Sequence, residues 1–542
     1  MAALPLTLDP EPPERELQQV FHLRDLSSLS VSSVGPMFSV AATGGVFAAQ
    51  AGWWTIPAVG LIAVPFMISA FVFRMLNQHF PHAGASYHWS ARIIGRRTSR
   101  FQAWILILAY FASIPPIIIP AASNTLILLF PHYTPGSAAQ LGVSAFWVLV
   151  AGAVLLGGGK PTARLTFVFL IIEMVALFGL GAYGVLRYHA LHVPIHFGPV
   201  PVAGILIVAV VAATIMDGWE IDSYASEEAQ RPKTDPGLGG ILGALLALVF
   251  YLILFPLMLS ETPLTTLANS VNPLAEWGNR LVPGAPWVVL VPIIVSTAGG
   301  LWLTSFILTR ALYSMGREGL IPRSFSKLSH NHVPHVAIVV TLGASFGVVA
   351  LQLFVTSLTQ LFTEVLASAG FFLVVEFFLD CVTATVFLRT GHKKLPPEDR
   401  PTGSHRLLQV GAIFASAILG GMIIAFFYYG PGAIGQSIDY ILVILLVGGV
   451  AFTFLGRKQD AVRVFAGDDV DPKLRTGSAV ASRPVWRWPH PPRSRLRNQA
   501  TNACRSSLAP DRRWVPAGLD ASGWVYPGAG PTGQRLPRAV VS

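Results

Sequence analysis

Charged residues are scarce in this chain, and so are cysteines. Only 12% of its 542 residues are Asp, Glu, Lys or Arg, whereas soluble domains contain about 25%. Its two cysteines, Cys381 in an apolar segment and Cys504 near the end, form neither a disulfide framework nor a metal-binding spacing. No metal site and no cofactor are therefore predicted. A nucleophile paired with a base is also missing, which argues against a membrane-embedded enzyme.

Long apolar segments are abundant instead. Hydrophobic residues make up 53% of the chain, and they lie in blocks near or above the ~20 residues that a helix needs to cross a bilayer. Twelve such blocks lie within residues 26–456, which predicts an all-α polytopic membrane protein. Residues 1–25 are predicted to form a cytoplasmic N-terminal tail. Residues 457–542, basic and without periodicity, are predicted to form a disordered cytoplasmic tail.

Lysine and arginine are distributed unevenly between the connections. One set of connections has little beyond Arg187 and Arg280, while the other set holds Arg92, Arg96, Arg97, Arg100, Lys160, Arg164, Arg231, Lys233, Arg317, Arg323, Lys327, Lys393, Lys394, Arg400 and Arg406. By the positive-inside bias, the richer set faces the cytoplasm, together with both termini, in a plasma or inner membrane. Loop topology and the basic tail account for the net charge of +10. Membrane lipids are thus expected partners, and nucleic acids are not.

Two of the apolar blocks are interrupted. The first contains Gly35-Pro36, where glycine permits unusual backbone torsions and proline removes a hydrogen-bond donor. The sixth contains a stretch with two acids, Asp217-Gly218-Trp219-Glu220. Free peptide groups and charges are tolerated at membrane depth where they line an enclosed cavity, and paired broken helices mark transporter substrate sites. The predicted substrate-binding residues are Ser33, Val34, Gly35, Met37, Asp217, Gly218, Trp219 and Glu220.

Each break suits one end of an amino acid. The first presents N–H groups and the positive end of a half-helix to a carboxylate, although a simple proline kink is the alternative. At the second break, Asp217 and Glu220 would receive the amino group and Trp219 would close over the ligand. The alternative, solvated acids at a helix end, applies more to Asp222 and to Glu227-Glu228.

Glu173 is an isolated carboxyl in the middle of the fifth apolar block. A buried carboxyl without a partner is a candidate carrier of the coupling proton, and a structural acid paired with another helix is the alternative. Glu376 and Asp380 are four residues apart in a later block. They either extend a proton path or face a polar crevice.

Three stretches resemble motifs of the amino acid–polyamine–organocation permeases. Gly218-Trp219-Glu220, followed by Glu227-Glu228 and Pro232, resembles the family's helix six. Residues 80–87 resemble its Phe-Pro-x-Ala-Gly-Gly-x-Tyr, and residues 310–322 resemble its Arg-x-Leu-Tyr-x-Met-Ala-Arg-Asp-Gly-x-x-Pro. The similarity covers roughly residues 20–456. One departure is Gly35-Pro36-Met37, where family members carry Gly-x-Gly; it leaves the substrate class open.

The resemblance implies a LeuT-like core of two inverted five-helix repeats, with helices one and six discontinuous, plus two peripheral helices. It also implies a secondary active transporter that imports amino acids by alternating access, here coupled to protons through Glu173. An exchanger of amino acids, amines or polyamines without proton coupling remains open. So does a transport-incompetent membrane sensor that signals through its tail. Neither the particular substrate nor the oligomeric state follows from the sequence.

Overall fold

A computed structural model describes residues 16–130, 132, 137–188, 196–270, 272–354, 358–394 and 405–455. Most of the predicted N-terminal tail and all of the predicted C-terminal tail lie outside these ranges. The described chain is helical, with one isolated β-bridge between Phe21 and Ala229. The α-helices, in chain order, are α1 (Leu23–Val34), α2 (Pro36–Ala51), α3 (Thr55–His79), α4 (Ala85–Ile93), α5 (Arg96–Ser113), α6 (Pro115–Leu129), α7 (Ala138–Leu156), α8 (Gly159–Tyr188), α9 (Val202–Ala212), α10 (Ile221–Tyr224), α11 (Leu238–Glu261), α12 (Leu264–Ala268), α13 (Pro273–Leu281), α14 (Trp287–Arg317), α15 (His335–Ala350), α16 (Leu358–Arg389), α17 (Arg406–Ala433) and α18 (Ser437–Leu455).

Ten helical stretches of the described chain are long and apolar enough to cross a membrane. The first runs over 57 residues, Leu23–His79, and includes α1 to α3. The helix α9 is apolar but short, and an irregular segment separates it from α10. These stretches confirm the prediction of an all-helical, multi-pass membrane protein.

Burial separates inner helices from outer ones. In α14, 78% of the most apolar window is buried within the protein, compared with 28% in α17 and 17% in α18. Small residues explain why α14 packs so closely: Gly299 lies against Ser32 of α1, and Gly300 against Ile117 of α6. The outer helices expose large apolar side chains such as Ile424 and Ile444, which suit contact with lipid acyl chains.

Several connections meet at one end of the bundle, which we call the basic face. Arg317, at the end of α14, pairs with Glu227, which also accepts a hydrogen bond from the Ala83 N–H group. Asn331, before α15, donates to the Leu156 carbonyl at the end of α7. The connections after α3, α7, α10 and α14 therefore share a face, in keeping with the uneven distribution of Lys and Arg in the sequence.

Candidate substrate and coupling site

The first break lies at Gly35, which ends α1 and begins α2. Its φ of 53° and ψ of 64° are left-handed, a conformation that glycine adopts without a steric penalty. Pro36 then occupies the first position of α2, where a missing N–H group leaves no bond unmade. The break thus produces a half-helix whose N-terminal donors point into the bundle.

Glu173 of α8 binds these donors. Its Oε1 accepts a hydrogen bond from the Met37 N–H group at 2.9 Å and another from the Ser296 hydroxyl at 2.6 Å. The Ser296 Oγ in turn accepts the Phe38 N–H group at 3.1 Å. The structure therefore joins two predicted residues that are 136 positions apart, and a carboxylate already lies at the positive end of this half-helix.

The second break separates α9 from α10, over residues 213–220. The Gly218 N–H group points to Glu220, with distances of 3.0 and 3.2 Å to the two carboxylate oxygens. Tyr110 of α5 donates its hydroxyl to the same side chain at 2.7 Å. Each break therefore has a freed backbone donor bound to a carboxylate, Glu173 at the first and Glu220 at the second.

The two breaks are in direct contact. A Cβ atom at Gly218 would lie 2.8 Å from the backbone carbon and oxygen of Ser33, closer than real contacts allow. The φ of Gly218 is +103°, which side chains rarely adopt. Only glycine fits here, because this close approach brings the unwound segments together.

A small cavity lies beside this contact. Its volume is about 30 Å³, enough for a water or two and far below the ~300 Å³ typical of small-molecule sites, so the helices are closed around it. Of the predicted substrate-binding residues, Ser33, Val34 and Asp217 line the cavity, and Gly35, Met37, Gly218, Trp219 and Glu220 do not. Further lining residues come from α2, α5, α6, α14 and α16, and they include Phe38, Ser39, Thr43, Ser113, Ile117, Gly300, Thr304 and Leu366.

Two polar atoms at the cavity remain unpaired. Other lining hydroxyls donate to nearby backbone carbonyls, as Ser39 does to Val34 across the first break and Thr43 does to Ser39 within α2. By contrast, the Ser33 Oγ and the Asp217 Oδ1 have no hydrogen-bond partner among the described residues. Because buried polar groups are almost always paired, these two atoms are candidate contacts for a ligand.

Two further carboxyls, Glu376 and Asp380 of α16, are buried but do not line the cavity. Glu376 accepts a hydrogen bond from Tyr224 at 2.9 Å. Asp380 accepts bonds from Ser86 at 2.9 Å and from Gln102 at 2.7 Å. All three donors are uncharged side chains. Glu376 and Asp380 therefore face the interior of the bundle.

Trp219 lies in an aromatic cluster and is fully buried. Its ring stacks on Phe377 with centroids 5.6 Å apart and meets the edge of Phe73 at 5.2 Å. Asp222 is also buried, contrary to the solvated alternative, and accepts the N–H groups of Gly237 and Gly240 at the start of α11. It caps that helix, so its role is structural.

The basic face is closed by ion pairs. Arg310 of α14 binds Glu228 at 2.8 Å, and both side chains are almost fully buried. Burial alone would raise the pKa of the Glu227 carboxyl. The hydrogen bond from Arg317 and its positive charge outweigh this effect, so the pKa is lowered overall. For Glu318, burial acts in the same way, while His88, His82 and Arg317 bring its pKa down to about 2. These contacts unite the three motif stretches, around residues 80–87, 218–236 and 310–322.

Membrane-length helices around an enclosed cavity, with two helix breaks in contact, are typical of a multi-pass membrane transport protein. The family model for amino acid permeases matches residues 21–450. This chain belongs to the amino acid permease family, so the predicted membership is confirmed. Amino acid transport is supported as its activity, and the prediction that it is not an enzyme is likewise confirmed.

Its relatives are distant. A branched-chain amino acid permease of Lactococcus lactis is 23% identical over 59% of this chain and 73% of its own. A mitochondrial cationic amino acid transporter of Arabidopsis thaliana is 22% identical over 54% of this chain, and the match covers 50% of that relative's length. A methylthioribose transporter of Bacillus subtilis is 23% identical over 59% of this chain and 72% of its own.

Some residues at the site carried no recognisable signal in the sequence. Ser296 is one serine in an apolar run, and only the fold places it between Phe38 and Glu173. Tyr110 is one aromatic residue in an apolar run, and only the fold brings its hydroxyl to Glu220. For the pairing of Arg310 with Glu228, the only signal in the sequence was that each residue lies in a motif stretch.

Proposed function

We propose that this protein imports an amino acid together with a proton by alternating access. The observation that carries the proposal is the hydrogen bond from the Met37 N–H group to Glu173. This donor, at the positive end of α2, is the one predicted to bind the carboxylate of the substrate. In this closed conformation, a carboxylate of the protein takes its place.

The Glu173 carboxylate and the substrate carboxylate compete for the Met37 N–H group, and this competition couples substrate binding to protonation of Glu173. While Glu173 is ionised, it accepts two charge-assisted bonds, which are about twice as strong as neutral ones. A proton on Glu173 weakens both bonds and removes its repulsion of a second carboxylate. The substrate carboxylate then binds the half-helix, and loss of the proton on the other side of the membrane expels it.

The rest of the substrate lies along the cavity. Its ammonium group meets the unpaired Asp217 Oδ1 and Ser33 Oγ, and Val34 lines the wall. Glu220 and Gly218 hold the second break in shape. Trp219 follows the hinge at Gly218, so movement of the break carries its indole ring, and in this way it gates the site.

The twelve-span, LeuT-like arrangement belongs to the same proposal. The first apolar stretch has 57 residues and, at 1.5 Å per residue, measures about 85 Å, which is enough for two crossings of a core of about 30 Å. The helix α9, continued by the irregular segment and α10, makes the sixth span. The weakly buried α17 and α18 are the two peripheral helices. The basic face is cytoplasmic, with both termini, in a plasma or inner membrane.

Uptake by the purified full-length protein in liposomes tests the proposal. Labelled neutral, branched-chain and cationic amino acids are screened with and without a gradient that is acidic outside. We expect one class to accumulate under the gradient and to leave when a protonophore is added. Transport that ignores the gradient would indicate an exchanger, and the absence of transport for every substrate would favour the sensor.

A cationic amino acid or polyamine is the second candidate substrate. The observation in its favour is the set of four interior acids, Asp217, Glu220, Glu376 and Asp380. The last three accept hydrogen bonds from uncharged groups, and the Asp217 Oδ1 has no hydrogen-bond partner among the described residues. Replacing Asp217 with Asn tests it. If the substrate is cationic, uptake of lysine falls by about tenfold or more while leucine is less affected, because a charge-assisted bond of 1.5–3 kcal/mol is lost. An equal effect on both amino acids would reject this candidate.

A further inference from the structure

Two histidines and a glutamate meet at the basic face, away from the central cavity. His82 follows α3, His88 lies in α4, and Glu318 directly follows α14. The two imidazole rings stack with centroids 3.6 Å apart and planes 12° from parallel. The Glu318 Oε1 lies 2.8 Å from the His88 Nδ1 and 3.3 Å from the His82 Nε2, so both ring nitrogens point to one oxygen.

These separations match those of ligand atoms around zinc. Zinc binds nitrogen and oxygen at about 2.0–2.1 Å with tetrahedral angles, which places neighbouring ligand atoms about 3.3 Å apart. The cluster has its donor atoms at 2.8 and 3.3 Å before any ion is considered, and all three atoms lie within 4.8 Å of one another. Two imidazoles and a carboxylate are also a donor set that zinc prefers.

A second carboxylate and two arginines surround the cluster. Glu227 contributes a second carboxylate, 3.6 Å from the His82 Nε2, and is available as a fourth ligand. Arg317 now provides the positive charge: its Nη2 lies 2.8 Å from the His82 Nε2, and it also binds Glu227. Arg92 approaches the other nitrogen of His88 at 3.3 Å. The Arg317 side chain is 38% exposed, so it has room to turn outward when a metal ion replaces it.

We propose that His82, His88 and Glu318 bind Zn²⁺, or a similar divalent transition metal, and that the bound ion inhibits transport. The ion would tie the connection between α3 and α4 to the end of α14. These elements have to separate for the cavity to open toward the basic face, so this inhibitory part rests on the proposed function. The site was not predicted from the sequence because His88 and Glu318 are 230 residues apart.

Metal binding is measured on full-length protein in detergent, after removal of the affinity tag and of bound metal. Zn²⁺ is titrated by calorimetry, and Co²⁺ is used as a spectroscopic probe of tetrahedral coordination. We expect one tight site per chain. His82→Asn, His88→Asn and Glu318→Gln should each weaken Zn²⁺ binding by at least about tenfold.

His330→Ala is the matched control, because His330 is exposed on the same face and outside the cluster. Its binding curve should equal that of the wild type. The melting midpoint measured without metal shows whether each variant is folded. If His82→Asn does not fold, the His88→Asn and Glu318→Gln variants take its place in the test. The site is refuted if the wild type shows no saturable binding, or if folded cluster variants bind Zn²⁺ as tightly as the wild type does.

Inhibition is tested in liposomes with Zn²⁺ on both sides of the membrane. Wild-type uptake should fall and return after a chelator is added, whereas uptake by His82→Asn should not respond. Binding without inhibition would overturn the locking role. Failure of the proposed function is distinguishable, because it would abolish uptake before any metal is added.

Discussion

Replacing Glu173 with Gln tests the coupling mechanism most directly. Glutamine has nearly the same shape and can still accept from Met37 and Ser296, but it carries no charge at any pH. Hydrogen bonds to charged groups contribute about 1.5–3 kcal/mol and neutral ones about 0.5–1.5 kcal/mol, so each of the two bonds weakens by roughly 1–1.5 kcal/mol. Both bonds are short in the structure, 2.9 and 2.6 Å.

Because the glutamine binds the N-terminal end of α2 more weakly, a substrate carboxylate displaces it more easily. The two bonds together amount to about 2–3 kcal/mol, which corresponds to roughly 30- to 150-fold in affinity. At alkaline pH, where wild-type Glu173 is ionised, the variant should bind substrate more tightly by about this factor. At acidic pH the two proteins should have similar affinities. The wild type thus loses affinity as pH rises, and the variant does not.

The assay is equilibrium binding of the substrate found in the liposome screen, measured from about pH 5 to pH 9. In liposomes, the variant should exchange substrate but should not accumulate it under a pH gradient. Glu261→Gln is the matched control, because Glu261 is another buried carboxyl, which lies at the end of α11 and accepts a hydrogen bond from Trp277 at 2.6 Å. A wild-type affinity that ignores pH, or a Glu173→Gln variant that keeps the wild-type pH profile, would refute the mechanism.

Three further predictions follow from other contacts. Gly218→Ala should reduce thermal stability and transport by adding strain of about 1–3 kcal/mol, because the new Cβ would meet Ser33 in a left-handed backbone; an unchanged melting midpoint would contradict this packing. Glu228→Gln should destabilise the protein by about 3–5 kcal/mol, because it leaves Arg310 buried without its partner charge. The control Arg231→Met, in a pair whose arginine is 68% exposed, should change the unfolding free energy by less than about 1 kcal/mol. Deleting residues 457–542 should leave uptake intact, whereas loss of uptake would show that transport requires this segment.

Several properties could be read from the sequence because they depend on composition or on neighbouring residues. Apolar blocks of membrane length predicted the helical bundle, since a bilayer demands internal hydrogen bonding whatever the partners are. Glycine beside proline at position 35 predicted the first break, and glycine between acids at position 218 predicted the second. Both are local effects of backbone torsion, and the structure shows a break at each place.

What the sequence did not determine was which groups meet across the bundle. The sequence marked Met37 as a free donor and Glu173 as an isolated acid, whereas the fold pairs them. His82 and Glu318 likewise belong to separate stretches and become neighbours only at the basic face. Contacts of this kind depend on how distant helices pack, and packing is set by the sum of many side-chain fits rather than by any local pattern. The local sequence determines where the helices break, but the tertiary structure determines which groups accept hydrogen bonds from the freed backbone donors.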